Sequence, residues 1–245
     1  MTRIIILAAG KGKRMGGEDL PKVLRPLSGR PMLEYVLDAV RGSGIDDKPI
    51  VVIGHLADRV KVACGDACDY AVQESLRGTG DAVRSAKDAA GNAARIVVLN
   101  GDMPFVTADS VRAVAKTHQE TGAVMVMGTV TVEDFEGWRK PFEDFGRIVR
   151  DERDGISRIV EAKDASEKEK EIREVNPSIF SFDAAWLWEM LETLTTENAQ
   201  GEYYLTDLLE KAVASGKKVV TVSVRPKEAI GINTPEQLAY AESLM

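Results

Sequence analysis

Four short, almost uninterrupted runs of apolar and mostly β-branched residues restrict what this chain can fold into: Ile4–Leu7, Ile50–Ile53, Ile96–Leu99 and Val124–Met127. Runs this short, without polar alternation, suit strands covered on both faces. Between them lie Pro31–Val40, Leu56–Cys64, Asp81–Ala90 and Ser110–Thr121, which have helical spacing and helix-compatible composition. Pro31 fits a first helical turn. Strands alternating with helices argue for an α/β fold with a mostly parallel sheet flanked by helices. The chain has 245 residues, 44% of them hydrophobic, enough to bury a full core. Aromatics make up only 6%, so the core is expected to be aliphatic.

After about residue 130 the pattern changes. Gly146–Asp151, Ile156–Glu161, Val175–Phe182 and Val219–Val224 read as strands separated by charged connections. Helices are expected over Ala184–Leu194, with Asp183 as N-cap, and over Tyr203–Ser215 and Pro235–Leu244. The charged stretch Glu167–Glu174 suits a solvated loop or short helix. No repeat or low-complexity linker divides the chain. One domain over 1–245 is expected, with one half over about 1–130 merging into another over about 131–245.

The formal net charge is −7, from 39 acidic and 32 basic residues. That balance gives no footprint for nucleic acid. Positive charge is instead concentrated locally, in Lys11, Lys13, Arg14, Lys22 and Arg25. The apolar start is too short for a signal segment or a membrane span, so a cytoplasmic protein without a membrane partner is expected. Cys64 and Cys68, four apart, could share a helix face, but only His55 and His118 are available to complete a zinc site. The bland reading is two reduced thiols.

Chemistry concentrates after the first and third apolar runs. Leu7-Ala8-Ala9-Gly10-Lys11-Gly12-Lys13-Arg14-Met15 is a glycine-rich, basic turn at the mouth of a buried strand. Its backbone N–H groups suit phosphate oxygens. It is neither a Walker A loop nor the dinucleotide Gly-x-Gly-x-x-Gly, since position 15 is Met. Lys22 is either a surface charge or a group that folds back onto the α-phosphate. Asp102, after Asn100-Gly101, is either a turn residue or a hard oxygen ligand for magnesium. Asn233, in Gly231-Ile232-Asn233, could add a neutral oxygen. Gln73 offers a donor and an acceptor to a pyrimidine edge, and Gly78-Thr79-Gly80 could meet the base through its backbone.

Taken together, the chain resembles the sugar-nucleotidyltransferase family, within it the N-terminal uridylyltransferase (pyrophosphorylase) domain of bifunctional bacterial enzymes that make UDP-N-acetylglucosamine. The resemblance rests on Leu7–Met15, Leu20–Leu24, Gln73 with Gly78–Gly80, Gly101-Asp102, Phe145–Ile148, Ile159–Ala165, Glu174–Asn176, Asn198–Asp207 and Gly231–Asn233. It implies a Rossmann-like sheet of the nucleotide-diphospho-sugar transferase type, with a nucleotide-binding first half and a smaller sugar-binding β region. By position, Leu7, Ala8, Ala9 and Gly10 would line the nucleotide. Arg14 and Lys22 would bind phosphates and carry catalysis. Gln73, Gly78 and Thr79 would hold uracil and ribose. Asp102 and Asn233 would bind Mg2+, beside Asn100 and Gly101. Gly146, Glu161 and Asn176 would hold the sugar. Asn100 stands where the family often has an aromatic residue, and Pro177-Ser178 where Thr-Gly is common. The chain stops at Met245 without hexapeptide repeats, so the family's β-helix acetyltransferase domain is not expected.

The reaction implied joins UTP and N-acetylglucosamine 1-phosphate, giving UDP-N-acetylglucosamine, a cell-wall precursor, and pyrophosphate. Two rivals stand beside it. One is a nucleotidyltransferase for another sugar 1-phosphate or a molybdopterin-type acceptor, which Arg14-Met15-Gly16-Gly17 and Asp102-Met103-Pro104 would also suit. The other is a non-catalytic subunit that binds sugar nucleotides. Oligomeric state is not legible.

Overall fold

The computed structural model describes residues 1–16, 19–152 and 154–245. The chain opens with strand β1 (Thr2–Leu7), a short hairpin of β2 (Pro26–Leu27) and β3 (Arg30–Pro31), helix α1 (Met32–Ser43), β4 (Ile50–Ile53), α2 (Ala57–Cys64) and β5 (Asp69–Val72). Helices α3 (Thr79–Ser85) and α4 (Lys87–Ala90), strand β6 (Arg95–Asn100), α5 (Ala108–Thr121) and β7 (Met125–Thr131) follow. Then come β8 (Arg147–Arg150), β9 (Ile156–Val160), α6 (Glu167–Lys170), β10 (Glu174–Val175), β11 (Phe180–Asp183) and α7 (Ala184–Leu191). The chain ends with α8 (Asp207–Ala214), β12 (Val219–Ser223) and α9 (Pro235–Glu242).

Nine strands lie in the order β5-β4-β1-β6-β11-β7-β10-β8-β9, and β12 joins the same sheet through β7. β5, β4, β1 and β6 run parallel, as do β7 and β12. β11 runs antiparallel between β6 and β7, and β8, β9 and β10 extend an antiparallel end. The fold is thus a mostly parallel mixed sheet flanked by helices, as expected. Alternate residues of each central strand feed two different cores. Ile4, Ile6, Val97 and Leu99 pack with α1 and α5, while Ile5, Ile96 and Val98 pack with α3, α7 and α8. All seven are essentially fully buried, each contributing roughly 1.5–3 kcal/mol of hydrophobic stabilisation. That is why these strands show no polar alternation.

Helix α5 illustrates how sequence sets an element. Its N-cap Thr107 accepts a hydrogen bond from the Ser110 N–H at 3.3 Å, its buried residues Val111, Val114, Ala115 and His118 form one face, and Gly122 ends it in the left-handed region. Asp183 caps α7 as expected, accepting from the Trp186 N–H at 2.9 Å. One register pair matters for the site: Leu7 on β1 lies opposite Asn100 on β6, so the two strands end level.

Several expectations need correction. The run Val175–Phe182 is not one strand. Asn176 Oδ1 accepts the Ser178 N–H at 2.9 Å and Ser178 takes a φ of 57°, so the chain turns between β10 and β11. Asp81–Ala90 is two helices, with a tight turn at Ala86 whose N–H donates to Val83. The helix expected from Tyr203 begins only at Asp207, because Tyr203 is engaged with residues 77 and 80. Pro31 precedes α1 and pairs in the hairpin rather than occupying its first turn. Cys64 ends α2 and Cys68 lies beyond the turn Gly65–Ala67, so the two thiols do not share a helix face. Strand β5 was not anticipated. Among the described residues no helix is long and apolar enough to cross a membrane.

Candidate functional site

The strand ends converge on a branched cleft along the carboxyl edge of β1, β5 and β6, the edge at which open α/β sheets bind ligands. Its front chamber, about 630 Å³, is lined by Leu7 to Lys13, by Lys22, by Gln73, Gly78 and Thr79, and by Asn100 and Asp102. A second chamber, about 730 Å³, shares Gly12, Lys13 and Lys22 with it and adds Arg14, Asp144, Glu161 and Asn233. A third, about 200 Å³, joins Asn100, Asp102, Gly146, Glu161, Asn176 and Asn233. Of the residues expected at the site, fifteen therefore line one connected space. Gly101 is the exception. A Cβ there would point at Val23 and Leu33, and its N–H donates to Leu7 O at 2.9 Å. It lets β6 turn tightly over β1 at the floor of the cleft. Gly17 lies outside the described residues.

The basic loop leaves β1 and turns at Gly12, which is left-handed at φ 59°. A Cβ at this position would come within 2.7 Å of Lys22 Cβ, so glycine is needed both for the turn and for the close approach of Lys22. Lys22 begins a short 3-10 turn, Lys22–Leu24, held by buried Val23 and Leu24. Its ammonium donates to Asp102 Oδ2 and, at 2.9 Å, to Asn233 Oδ1. Residues 22, 102 and 233, far apart in sequence, thus meet at one point. The backbone joins them too, since the Ile232 N–H donates to Asp102 O at 3.0 Å. A carboxylate and an amide oxygen already converge on a positive charge, and hard oxygens in this arrangement fit a magnesium ion that keeps several waters. Arg14 is largely exposed, 3.5 Å from Asp144 across the second chamber.

The end of the front chamber at Gln73 and Gly78 is held by charge and by close packing. Gln73 is buried, and its side-chain NH2 donates to Gly78 O at 3.2 Å and to Asp81 Oδ2 at 3.0 Å. At Gly78, with φ 106°, a Cβ would come within 2.6 Å of Tyr203 O. This glycine is therefore demanded by the segment packed behind it as well as by any ligand in front. That segment is stitched to α3: Gly80 N–H donates to Tyr203 O, Tyr203 N–H to Arg77 O, and Leu205 N–H to Thr79 Oγ1.

Glu161 lines the second and third chambers. It accepts from the Thr206 hydroxyl at 2.8 Å. Burial pushes its carboxyl pKa up, Thr206 opposes this, and Asp207, Asp164 and Glu202 reinforce it. Asn176 is anchored through its N–H to Gly146 O at 2.9 Å, and its side-chain NH2 makes no bond to a described residue. Buried Arg147 shapes this wall by donating to the carbonyls of Glu143, Phe145 and Lys170, which fixes the loop carrying Asp144 and Gly146. Sequence reasoning gave no role to Glu202, Gln200, Thr206 or Asp144, which also line the cleft. The first three lie in the Asn198–Asp207 block that carried part of the resemblance, and that was the signal available.

Comparison with known proteins agrees with this geometry. The MobA-like NTP transferase domain family matches residues 4–201. The bifunctional protein GlmU of Heliobacterium modesticaldum is 41% identical over 243 residues, and that of Cupriavidus necator 45% over 247, each match covering 98% of this chain and 51% of the relative. The chain thus spans about half the length of these relatives. A glucose-1-phosphate thymidylyltransferase structure from Bacillus anthracis, described as putative, superposes with a TM-score of 0.78 at 22% identity, covering 100% of this chain and 95% of that one. A UDP-glucose pyrophosphorylase complexed with UDP-glucose superposes at 0.76 with 16% identity, covering 100% and 98%. At these identities the structures establish the fold alone.

Proposed function

This chain belongs to the MobA-like NTP transferase domain family and is a nucleotidyltransferase, and from that premise we propose that it transfers a uridylyl group from UTP to N-acetylglucosamine 1-phosphate. The products are UDP-N-acetylglucosamine and pyrophosphate. The observation that carries the reading is the single cleft in which the basic loop, the Lys22–Asp102–Asn233 cluster, Gln73 and the Glu161–Asn176 wall face one another. The likeness to GlmU supports the choice of sugar and nucleotide.

A phosphate oxygen of the sugar 1-phosphate attacks the α-phosphorus of UTP and the bond to the β-phosphate oxygen breaks. Pyrophosphate leaves with that electron pair. The nucleophile is already an anion, so no general base is required. The loop from Gly10 to Lys13 binds the triphosphate through its backbone N–H groups. Lys22 and Arg14 neutralise charge spread over the phosphates as the bond breaks. Gln73, Gly78 and Thr79 orient uracil and ribose. Glu161 accepts sugar hydroxyls, and Asn176 and Gly146 seat the ring, holding the attacking oxygen in line. Nucleotidyltransferases of this family generally use a divalent metal. Magnesium, held by Asp102 and Asn233, would supply further charge neutralisation to the phosphates.

The test is pyrophosphate release measured over a panel of nucleoside triphosphates and acceptors, with and without magnesium. UTP with N-acetylglucosamine 1-phosphate is expected to give the highest kcat/KM, and only with the metal. Faster turnover of another sugar phosphate or of a pterin phosphate would reassign the acceptor. Tight binding of UDP-N-acetylglucosamine without turnover under any condition would make the chain a binding subunit.

A further inference from the structure

We propose that Asp81 is a specificity-determining positioning residue, which holds the Gln73 amide so that the front chamber meets an acceptor oxygen and selects a base carrying a ring N–H, as uracil does, over one with a bare ring nitrogen, as in cytosine. The inference rests on the nucleotide-binding part of the reading above. It adds a residue that touches no ligand and that sequence reasoning left without a role.

Gln73 forms a partition. In front of it is the 630 Å³ chamber with Leu7, Gly78 and Thr79. Behind it is a recess of about 270 Å³ lined by Arg77, Asp81 and Arg84, and Asp81 lines only the rear space. The two groups that accept from the Gln73 NH2, Gly78 O and Asp81 Oδ2, are both oxygens. A flipped amide would set its own oxygen against both. Gly78 O is a carbonyl and cannot donate, and an ionised carboxylate cannot either. Asp81 is kept ionised by geometry: Arg84 donates to its Oδ1 at 2.6 Å and Arg77 at 3.2 Å. Both guanidinium groups are themselves pinned over the Tyr203 ring, at 5.2 and 5.4 Å. Burial of Asp81 raises its pKa, but Gln73, Arg84 and Arg77 outweigh it and the net shift is downward. Gln73 Oε1 accepts nothing from the described residues. It is the partner left for a ligand, and as an acceptor it matches an imide N–H. A base that cannot donate there leaves a buried acceptor unpaired, and a site of that kind discriminates strongly.

Asp81→Asn inverts the logic while keeping the shape. The arginines retain the Oδ1 side of the new amide, and its NH2 takes the place of Oδ2. Gln73 is then driven to turn its oxygen backwards and its NH2 forwards. The experiment measures Kd for UTP and for CTP by calorimetry on wild type and variant, with circular dichroism as the folding control. Wild type is expected to favour UTP, and Asp81→Asn to lower the UTP:CTP affinity ratio at least tenfold. Asp81→Glu, which restores a carboxylate, should recover most of the ratio. A merely structural role would weaken both nucleotides together. Gln73→Met, which needs nothing from Asp81, should bring UTP down to the CTP level. Equal affinities in wild type, or an unchanged ratio in folded Asp81→Asn, or equal losses for both nucleotides in Gln73→Met, would overturn the proposal. Strong discrimination by a wild-type protein that transfers no uridylyl group would sink the reaction assigned above and leave this inference standing.

Discussion

Replacing Gly12 with alanine separates two costs that a glycine-rich loop usually confounds. The first is backbone strain. Gly12 has φ 59° and ψ 35°, and an L-residue held there loses about 1–2 kcal/mol. The second is a collision, because the new Cβ would sit 2.7 Å from Lys22 Cβ. Ordinary contact begins near 3.4 Å, so the loop and Lys22 must part by about 0.7 Å. Lys22 cannot swing its stem away freely, since Val23 and Leu24 beside it are buried. Its ammonium must then leave Asp102 and Asn233, and misplacement by about an ångström can cost roughly 100-fold in rate. Gly44→Ala is the matched control: it has φ 66° and ψ 19°, and nothing lies within 4 Å of its Cβ. Both variants should lose about 2–8 °C in Tm by differential scanning fluorimetry. Pyrophosphate release should fall by about 10- to 100-fold for Gly12→Ala and stay near wild type for Gly44→Ala. Wild-type turnover by Gly12→Ala, or an equal loss in both variants, would refute the coupling between the loop and Lys22.

Asp102→Ala should reduce turnover by more than about 100-fold with the circular dichroism spectrum unchanged, and chelation of divalent ions should do the same to wild type. Near-normal pyrophosphate release by the variant rejects the cation assignment. Gly146→Ala would bring a Cβ within 2.7 Å of Ile159 Cγ2 and 3.5 Å of Glu161 Oε1. Its KM for the sugar phosphate should rise while that for UTP does not, and a shared rise would mean that Gly146 serves the fold alone. Burial raises the Asp207 pKa to about 6 from 3.8, with Glu210 and Asp164 adding to the shift and Lys211 opposing it. The folded state thus binds the extra proton, and stability contributed below about pH 4 is lost as pH rises towards about 6. Asp207→Asn should leave Tm unchanged near pH 3 and raise stability at pH 8 by on the order of 1–2 kcal/mol. An unchanged Tm difference across that range would reject the shift.

The parallel half of the fold was legible because Ile4–Leu7 and Ile96–Leu99 face two cores at once and so carry no polar residues. Strand β5 was not, because it is an edge strand of mixed burial, with Asp69 and Tyr70 half-buried and Val72 exposed. The antiparallel insertion of β11 between β6 and β7 leaves no local trace either, since Phe180–Asp183 would read the same in either direction. Residues that line the cleft were largely named from their motifs. Those that act through a neighbour were not. The grip of Thr206 on Glu161, and that of Asp81 on Gln73, exist only once distant or adjacent segments are folded together. Gly101 and Gly78 add a second reason that the motif does not carry: a Cβ at either would meet the protein's own segments, Leu7 O and Val23 in one case and Tyr203 O in the other.

The level ends of β1 and β6 carry a consequence for what can vary in this chain. Inserting one residue into either strand would advance its outgoing loop by about 3.3 Å and exchange its inner and outer side chains. The basic loop and Asp102 would then miss each other, and both cores would be disrupted together. Around these two strands, length changes are tolerable beyond Leu7 and Asn100, so recognition of new acceptors has to be written into the segments that leave the carboxyl edge of the sheet.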